Sequence, residues 1–292
     1  MFTQQRAMFI YAVSPLHMGA GTALGLIDNP IQREVHTDWP SIAGSGIKGA
    51  IRHGLGEQEG WKNGKLTAVF GPEAGAPELH AGAISFSDAH VVCFPVRSMK
   101  NAYVYASCPT ALARLKRLTG ASWLVPNVEE SDALLSNSNL LQEGRLVLET
   151  LAYNGQVDER VVVISTWLAD NALSEGFFAD KLKADLVLLS DTDFTHFVRN
   201  ATLVEPHVRI DEKTGTAAST GLFYTENLPP ETLLVSLLMA SAARGGTSMD
   251  AEQVVVAIES ALNGNAAWQF GGDATTGRGL VSLRLMSTGE TR

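Results

Sequence analysis

Cysteine is scarce in this sequence: its 292 residues include only Cys93 and Cys108. Two cysteines exclude the disulfide-rich scaffolds of small secreted proteins, and we predict that both are free thiols in a reducing cytoplasm. No apolar run approaches the roughly 20 residues that a transmembrane helix needs, and the first residues lack the apolar core and cleavage site of a signal peptide. With a hydrophobic content of 45% and a mean hydropathy of +0.06, the sequence predicts a cytoplasmic globular protein.

Positive charge is also scarce, because 22 Lys and Arg face 31 Asp and Glu, for a formal net charge of −9. A protein that captures nucleic acid by itself needs clustered cations, so the acidic average argues against a stand-alone binder. The charge is unevenly spread, since residues 89–128 contain no acid but five cations: Arg97, Lys100, Arg114, Lys116 and Arg117. One face could therefore be basic, or these cations could be ordinary solvated charges.

Short apolar stretches and glycine or proline breaks alternate without a regular strand–helix repeat. The pattern predicts strands at residues 8–13, 83–88, 91–94, 185–189 and 280–286. It predicts helices at residues 46–54, 109–120, 191–198, 230–244 and 250–263. Residues 160–164 fit either type of element. Scattered strands and helices favour an α+β fold over a doubly wound sheet.

Residues 202–225 predict a hairpin, because two strand-like arms flank the turn-forming sequence Lys213-Thr214-Gly215. Val208 and Ile210 lie on its first arm.

Residues 14–40 form a long connection with no helical period, and such loops inside compact domains are usually functional.

Residues 40–52 predict a loop that runs into a helix, with Gly44 and Gly46 in the turn and Ser45 as the cap. Lys48 and Arg52 are four residues apart, so they share one helix face. Free N–H groups at a helix start and two cations would suit a phosphate, although an ordinary capped surface helix fits the pattern equally well.

A second glycine-rich stretch, residues 270–279, has the glycine spacing of a phosphate loop at Gly272 and Gly277. However, Arg278 stands where the lysine should be, and Gly279 replaces the hydroxyl residue that binds magnesium. A strand follows instead of a helix. These departures argue against nucleotide hydrolysis and favour a glycine turn.

Asp28 lies in a loop bounded by glycine and proline, where a carboxylate most often forms a turn. With RNA as substrate, the same carboxylate could hold a divalent cation at a phosphate or help to deprotonate a 2′-hydroxyl. His17 could act as acid or base, because histidine side chains in general titrate near neutral pH. Equally, it could only fasten the turn.

Four stretches occur in the order expected of one known family: SPLHMGAGTALGLIDNPIQREVHTDWPSIAGSGIKGAIRH, LSDTDFTHFV, RIDEKTGTAASTGLFYTENLP and FGGDATTGRGL. On these motifs the chain resembles the RAMP superfamily of CRISPR proteins. Within it, the chain resembles the subunits that form the backbone of type III-B (Cmr) effector complexes. The resemblance implies a single elaborated domain over residues 1–292. That domain would have a ferredoxin-like (RRM-type) core, insertions at about 57–83 and 121–185, and a projecting thumb hairpin at about 202–225.

The resemblance also implies an activity: binding of guide RNA and cleavage of complementary target RNA by metal-dependent attack of a 2′-hydroxyl. It implies a divalent ion, Mg or Mn, held by Asp28, with Asp28 and His17 as catalytic residues. The RNA-binding residues it implies are Gly44, Ser45, Gly46, Lys48, Arg52, Val208, Ile210, Gly277 and Arg278. The partners would be guide crRNA, complementary target RNA, other copies in a helical array and other Cmr subunits, with no membrane.

Two other functions remain open from the sequence. One is a non-catalytic subunit that only coats RNA, in which Asp28 closes a turn. The other is a RAMP nuclease that processes precursor guide RNA, which the acidic net charge disfavours because such an enzyme captures RNA alone. Tyr224 and Glu226, near the base of the predicted thumb, could add polar groups to the site.

Overall fold

A computed structural model of the protein describes residues 2–22, 25–62, 64–73, 75–245, 247–263 and 267–288. The strands are β1 (Gln4–Ala12), β2 (Ser41–Ile42), β3 (Ile84–Phe86), β4 (Ala89–Arg97), β5 (Tyr103–Ser107), β6 (Asp132–Leu135), β7 (Arg145–Leu148), β8 (Leu151–Val157), β9 (Leu186–Leu189), β10 (Leu203–Ile210), β11 (Ala217–Asn227), β12 (Leu233–Ala240), β13 (Trp268–Gln269) and β14 (Leu280–Ser287). The helices are α1 (Gly44–Gly56), α2 (Lys65–Phe70), α3 (Pro109–Thr119), α4 (Glu159–Ala172), α5 (Phe177–Asp185), α6 (Asp191–Asn200) and α7 (Ala251–Asn263).

Twelve of these strands form one mixed sheet, which confirms the predicted α+β class. Its order is β13-β14-β1-β12-β4-β5-β9-β6-β8-β7, with β2 paired to β4 and β3 to β12. The pairs β5–β9 and β6–β8 are parallel. Strands β10 and β11 stand apart as a two-stranded hairpin, as the sequence predicts.

Strand β1 is buried on both faces of the sheet and therefore has a continuous apolar sequence. Met8 and Ile10 point into one core, shared with α1 and α7. Phe9 and Tyr11 point into a second core, shared with α4 and α5. Alternation along one strand thus joins two hydrophobic layers.

The predicted helix at residues 230–244 is wrong, because residues 233–240 form the central strand β12. Its sequence, Leu-Leu-Val-Ser-Leu-Leu-Met-Ala, is buried along most of its length between β1 and β4. A short apolar run has no hydrophobic periodicity, so its sequence cannot distinguish a strand that is buried on both faces from a buried helix. The flanking strands β1 and β4, which lie far away in sequence, decide the outcome.

The other predicted helices and strands are confirmed. Residues 160–164, left open above, belong to α4, and Gly120 ends α3 with a left-handed φ of 72°. The N-cap of α3 is Cys108 and that of α6 is Ser190, whose side chains accept hydrogen bonds from Ala111 N and Asp193 N.

The structure describes both cysteines and the length and polarity of the helices. Cys93 and Cys108 are buried free thiols, as predicted. Over the part of the chain that the structure describes, each helix is too short or too polar to cross a membrane.

Replacing Ile51 on α1 by alanine tests the first core. Ile51 is fully buried, so we expect the free energy of unfolding to fall by about 2–5 kcal/mol in urea denaturation. Gly49 on the same helix is exposed, and a Cβ there would meet nothing within 4 Å. Gly49→Ala is therefore the matched control and should stabilise the protein by up to about 1 kcal/mol. An Ile51→Ala effect no larger than that of the control would contradict the packing described.

Candidate functional site

Asp28 is held at the base of the hairpin by a hydrogen bond across the fold. Its Oδ2 accepts from the backbone N–H of Tyr224 on β11, at 2.8 Å. The next residue continues this pairing, because Asn29 N donates to Tyr224 O and Asn29 O accepts from Glu226 N, both at 3.0 Å. Asp28 is itself exposed. The carboxylate is therefore positioned by β11 and open to solvent, which goes beyond closing a local turn.

His17 is anchored to the same strand. Its Nδ1 lies 2.7 Å from the carbonyl oxygen of Glu226. A carbonyl only accepts hydrogen bonds, so Nδ1 must carry the proton, and a neutral ring then has its lone pair on Nε2. His17 and Asp28 bond to strand positions two residues apart, a separation of about 6.6 Å at the usual rise of an extended strand.

Glu226 is almost fully buried, with 3% of its surface exposed. Its Oε1 accepts from Arg33 at 2.6 Å and from the Thr202 hydroxyl at 2.8 Å, and its Oε2 accepts from Ile31 N at 3.1 Å. Arg33 also donates to the carbonyl oxygen of Val198. Because both carboxylate oxygens are occupied inside the fold, Glu226 acts by positioning the segment that carries Asp28.

The second glycine-rich stretch packs directly against His17. Gly272 N donates to the carbonyl oxygen of His17 at 3.0 Å. Gly271 has a φ of +71°, and a Cβ there would lie 2.1 Å from the same oxygen, so only glycine fits. Gly277 ends the short turn that follows. Arg278 is mostly buried and pairs with Glu205 on β10 at 2.5 Å. RNA binding by Gly277 and Arg278 stays a prediction.

The start of α1 differs from its predicted form. The N-cap is Ala43, and Ser45 is a helical residue without a capping bond. Gly44 N donates to the Asp88 carboxylate at 2.8 Å, so the helix start already binds an anion from the chain itself. A Cβ on Gly44 would lie 2.2 Å from the Phe86 carbonyl oxygen, which explains this glycine by packing alone.

The two cations of α1 are half-buried and donate to backbone carbonyls. Lys48 Nζ donates to Ile84 O at 3.1 Å, and Arg52 donates to Gly71 O at 2.6 Å. Burial, and secondarily the neighbouring Arg52, lower the pKa of Lys48. Both side chains therefore brace the loops on either side of the helix. Binding of guide RNA by Gly44, Ser45, Gly46, Lys48 and Arg52 stays a prediction.

One face of the β10–β11 hairpin is apolar and exposed. Strand alternation and the cross-strand pairs Pro206–Tyr224 and Val208–Leu222 place its side chains together. Val208 and Ile210 are 50% and 55% exposed. The apolar face comprises Val204, Pro206, Val208, Ile210, Leu222 and Tyr224. It runs along the hairpin to the residue that holds Asp28.

Two of the cations in residues 89–128 are paired with acids from outside that window. Arg97 contacts Glu149 at 2.7 Å, and Arg114 contacts Glu34 at 2.9 Å. The Glu34 side chain is largely buried. Burial raises its pKa, but the hydrogen bonds from Thr37, His90 and Arg114 together outweigh burial, so the pKa of Glu34 is lowered. The acid-free window is therefore balanced in part by acids from other segments of the chain.

Replacing Glu226 by glutamine tests its positioning role. Glutamine keeps the shape but leaves the Arg33 guanidinium without its charged partner, so the free energy of unfolding should fall by about 1–3 kcal/mol in urea denaturation. The matched control is Asp38→Asn, which removes a half-exposed ion pair with Arg199 and should cost only about 0–1 kcal/mol. Equal effects of the two variants would show that Glu226 is not the anchor of this loop.

Comparison with known proteins places these features in a family. The family model of the RAMP superfamily matches residues 9–282. A curated relative from Pyrococcus furiosus, named CRISPR system Cmr endoribonuclease Cmr4, is 32% identical over 94% of both chains. A second, from Saccharolobus solfataricus, named CRISPR system CMR subunit Cmr4, is 24% identical over 98% of both chains.

Solved structures agree with this assignment. The crystal structure of oligomeric Cmr4 from Pyrococcus furiosus has a TM-score of 0.76 at 26% identity, covering 99% of this chain and 100% of that one. The cryo-EM structure of the type III-B Cmr-beta complex bound to cognate target RNA includes a chain with the same fold, with a TM-score of 0.75 at 20% identity over 97% and 98% of the two chains. The chain belongs to the RAMP superfamily.

Proposed function

We propose that this chain is the guide-RNA-binding backbone subunit of a type III-B CRISPR effector complex and that it cleaves complementary target RNA. The observation that carries the proposal is the hydrogen bond from Tyr224 N to Asp28, which holds an exposed carboxylate at the base of an apolar hairpin. The relative named a Cmr endoribonuclease, which matches nearly the whole chain, supports it. We further propose that the subunit works with guide crRNA, other copies of itself and other Cmr subunits in the cytoplasm.

The strand order supports a ferredoxin-like core. The elements β1, α1, β4, β12, α7 and β14 occur in this order along the chain as strand–helix–strand–strand–helix–strand, with other elements inserted between them. In the sheet their strands lie in the order β14-β1-β12-β4, with antiparallel neighbours. This is the split βαβ arrangement of that fold. The β10–β11 hairpin, which forms no part of the main sheet, is then the thumb.

The proposed reaction is an in-line attack of a 2′-hydroxyl oxygen on the adjacent phosphorus. The new bond joins that oxygen to phosphorus, and the bond to the 5′-oxygen breaks, which gives a 2′,3′-cyclic phosphate and a 5′-hydroxyl. Asp28 accepts the 2′-hydroxyl proton, and His17, with a proton on both ring nitrogens, donates the Nε2 proton to the leaving 5′-oxygen. Both residues bond to β11 at positions two residues apart, so one strand sets their separation.

A divalent ion, Mg or Mn, remains part of the proposal. Within the described ranges, no three His, Cys, Asp or Glu side chains come together as a metal-binding cluster. One exposed carboxylate fits Mg²⁺ nevertheless, because proteins often hold this ion by one or two carboxylates together with substrate phosphates. Asp28 would hold the ion, which would supply charge stabilisation at the phosphate.

We propose that the apolar face of the hairpin contacts nucleobases. Stacking of apolar or aromatic side chains against bases needs no particular sequence. Val208 and Ile210 would displace bases of the guide–target duplex, at an unstacking cost of a few kcal/mol. The resulting bend would present one target phosphate to Asp28.

Asp28→Asn is expected to reduce cleavage by about 10²- to 10⁴-fold while leaving RNA binding nearly unchanged, because it removes a general base. Asparagine keeps an oxygen that can accept from Tyr224 N, so the loop should stay in place. The measurement is single-turnover cleavage by a complex reconstituted with guide RNA and partner subunits, with binding measured in parallel. Asp38→Asn on the same loop is the control and should cleave normally.

Three outcomes would redirect the assignment. Normal cleavage by the Asp28→Asn complex would leave Asp28 as a structural residue and favour a non-catalytic RNA-coating subunit. Loss of RNA binding together with cleavage would show that Asp28 shapes the RNA channel. Cleavage of single-stranded RNA by the isolated chain would favour the precursor-processing nuclease.

Val208→Ser and Ile210→Ser test the hairpin. Both side chains are about half exposed, so the melting temperature should barely change, whereas target cleavage should weaken or change position as base contacts are lost. Cut sites on a labelled complementary RNA give the measurement. The control is Glu212→Ser in the exposed hairpin turn. Unchanged cuts in both apolar variants would remove the hairpin from the reaction.

A further inference from the structure

A small cavity opens beside the end of β1, on the face of the sheet that α4 and α5 cover. Its volume is about 260 Å³. The lining includes Tyr11, Leu173, Glu175, Phe177, Phe178 and Glu231. This volume lies below the roughly 300–1,000 Å³ of small-molecule sites, so the cavity suits one inserted side chain.

The cavity is acidic and contains no cation of its own. Its lining residues include two carboxylates, from Glu175 and Glu231, but no lysine or arginine. Glu231 is half-buried, and its carboxylate accepts a hydrogen bond from the Tyr11 hydroxyl. Burial raises the pKa of Glu231 to about 7, without an offsetting contribution from a neighbouring cation. A half-buried carboxylate without a counter-ion favours binding of a positive group.

The rim of the cavity consists of exposed aromatic side chains. Phe177 is 73% exposed and Phe178 is 45% exposed, and their rings meet edge to face at 5.4 Å. The ring of Phe178 also lies 6.2 Å from that of Tyr11. Exposed apolar patches with polar surroundings mark interaction sites, and aromatic rings attract cations. The aromatic rim and the carboxylate of Glu231 therefore favour the same kind of ligand, which has an apolar stem that ends in a positive charge.

The backbone supports a role for this acid. Glu231 has a φ of +73°, a conformation that residues with a Cβ rarely adopt. A turn with no other requirement would accommodate glycine more easily. The left-handed conformation of Glu231 adds to the reasons for testing its side chain, although Glu143 and Glu149 adopt it as well.

We propose that this cavity receives an arginine side chain from a protein partner, with the stem against Phe177 and Phe178 and the guanidinium at Glu231. A planar guanidinium can stack on aromatic rings while it pairs with a carboxylate, which a lysine ammonium cannot do as well. Two carboxylates would repel RNA phosphates, so the charge disfavours nucleic acid. This surface is separate from the proposed cleavage site at Asp28.

The test is titration of the purified full-length protein with acetyl-arginine amide, followed by NMR. Acetyl-citrulline amide has the same shape without the charge and should bind at least about tenfold more weakly, a difference typical of one charged contact. Glu231→Gln should weaken arginine binding by a similar factor, whereas the same change at exposed Glu212 should have no effect.

The affinity for acetyl-arginine amide should rise between pH 6 and pH 8, because Glu231 becomes ionised over this range. The other titratable or charged groups around it are Tyr11, Tyr105, Glu175 and Arg284, whose guanidinium donates to the carbonyl oxygen of Leu173. Burial raises the pKa of Tyr105, so this tyrosine stays neutral.

Glu231→Gly guards against a folding artefact, because glycine suits the backbone conformation at this position. This variant should remain folded, as judged by its melting temperature, and should lose arginine binding. Equal binding of the arginine and citrulline probes, or wild-type binding by both Glu231 variants, would overturn the proposal. A short RNA that displaces the arginine probe would overturn it as well, by assigning the cavity to nucleic acid.

Discussion

The buried carboxylate of Glu226 is the constraint on which the site depends. An ionised group in the interior requires partners for both oxygens. Glu226 on β11 obtains them from two other segments of the chain: Arg33 and Ile31 in the long loop, and Thr202 before β10. Satisfying this one group fixes the loop against the hairpin. Asp28 and His17 then have defined positions, each held to β11 by a side-chain hydrogen bond.

Elements with a strong local signal were predictable from the sequence. Helix α7 has an amphipathic period, and Gly120 ends α3 because a left-handed residue is needed there. Strand β12 was not predictable as a strand, because the two strands that flank it in the sheet, β1 and β4, lie more than 100 residues away in sequence. An apolar run without alternation has no local feature that identifies its partners.

The site was predictable in composition but not in arrangement. The loop that contains His17 and Asp28 shows its importance through its glycines, its length and its family resemblance. Its contact with β11 joins residues 196 positions apart, which local patterns cannot reveal. Ser45 illustrates the opposite error. A serine between glycines predicts a cap, but Asp88 reaches the helix start from another segment and satisfies Gly44 N instead. The role of Glu226 was missed for the same reason, since one acid in a strand does not show which way it points.

The exposed apolar face of the hairpin has a cost for the free protein. A two-stranded ribbon is only marginally stable by itself, and one that shows valine, isoleucine and leucine side chains to water can pair with any similar surface. The hazard disappears once that face is covered. A cell that makes more of this subunit than it can place in assemblies would therefore accumulate aggregation-prone chains. Its expression must be balanced with that of the molecules that cover the hairpin.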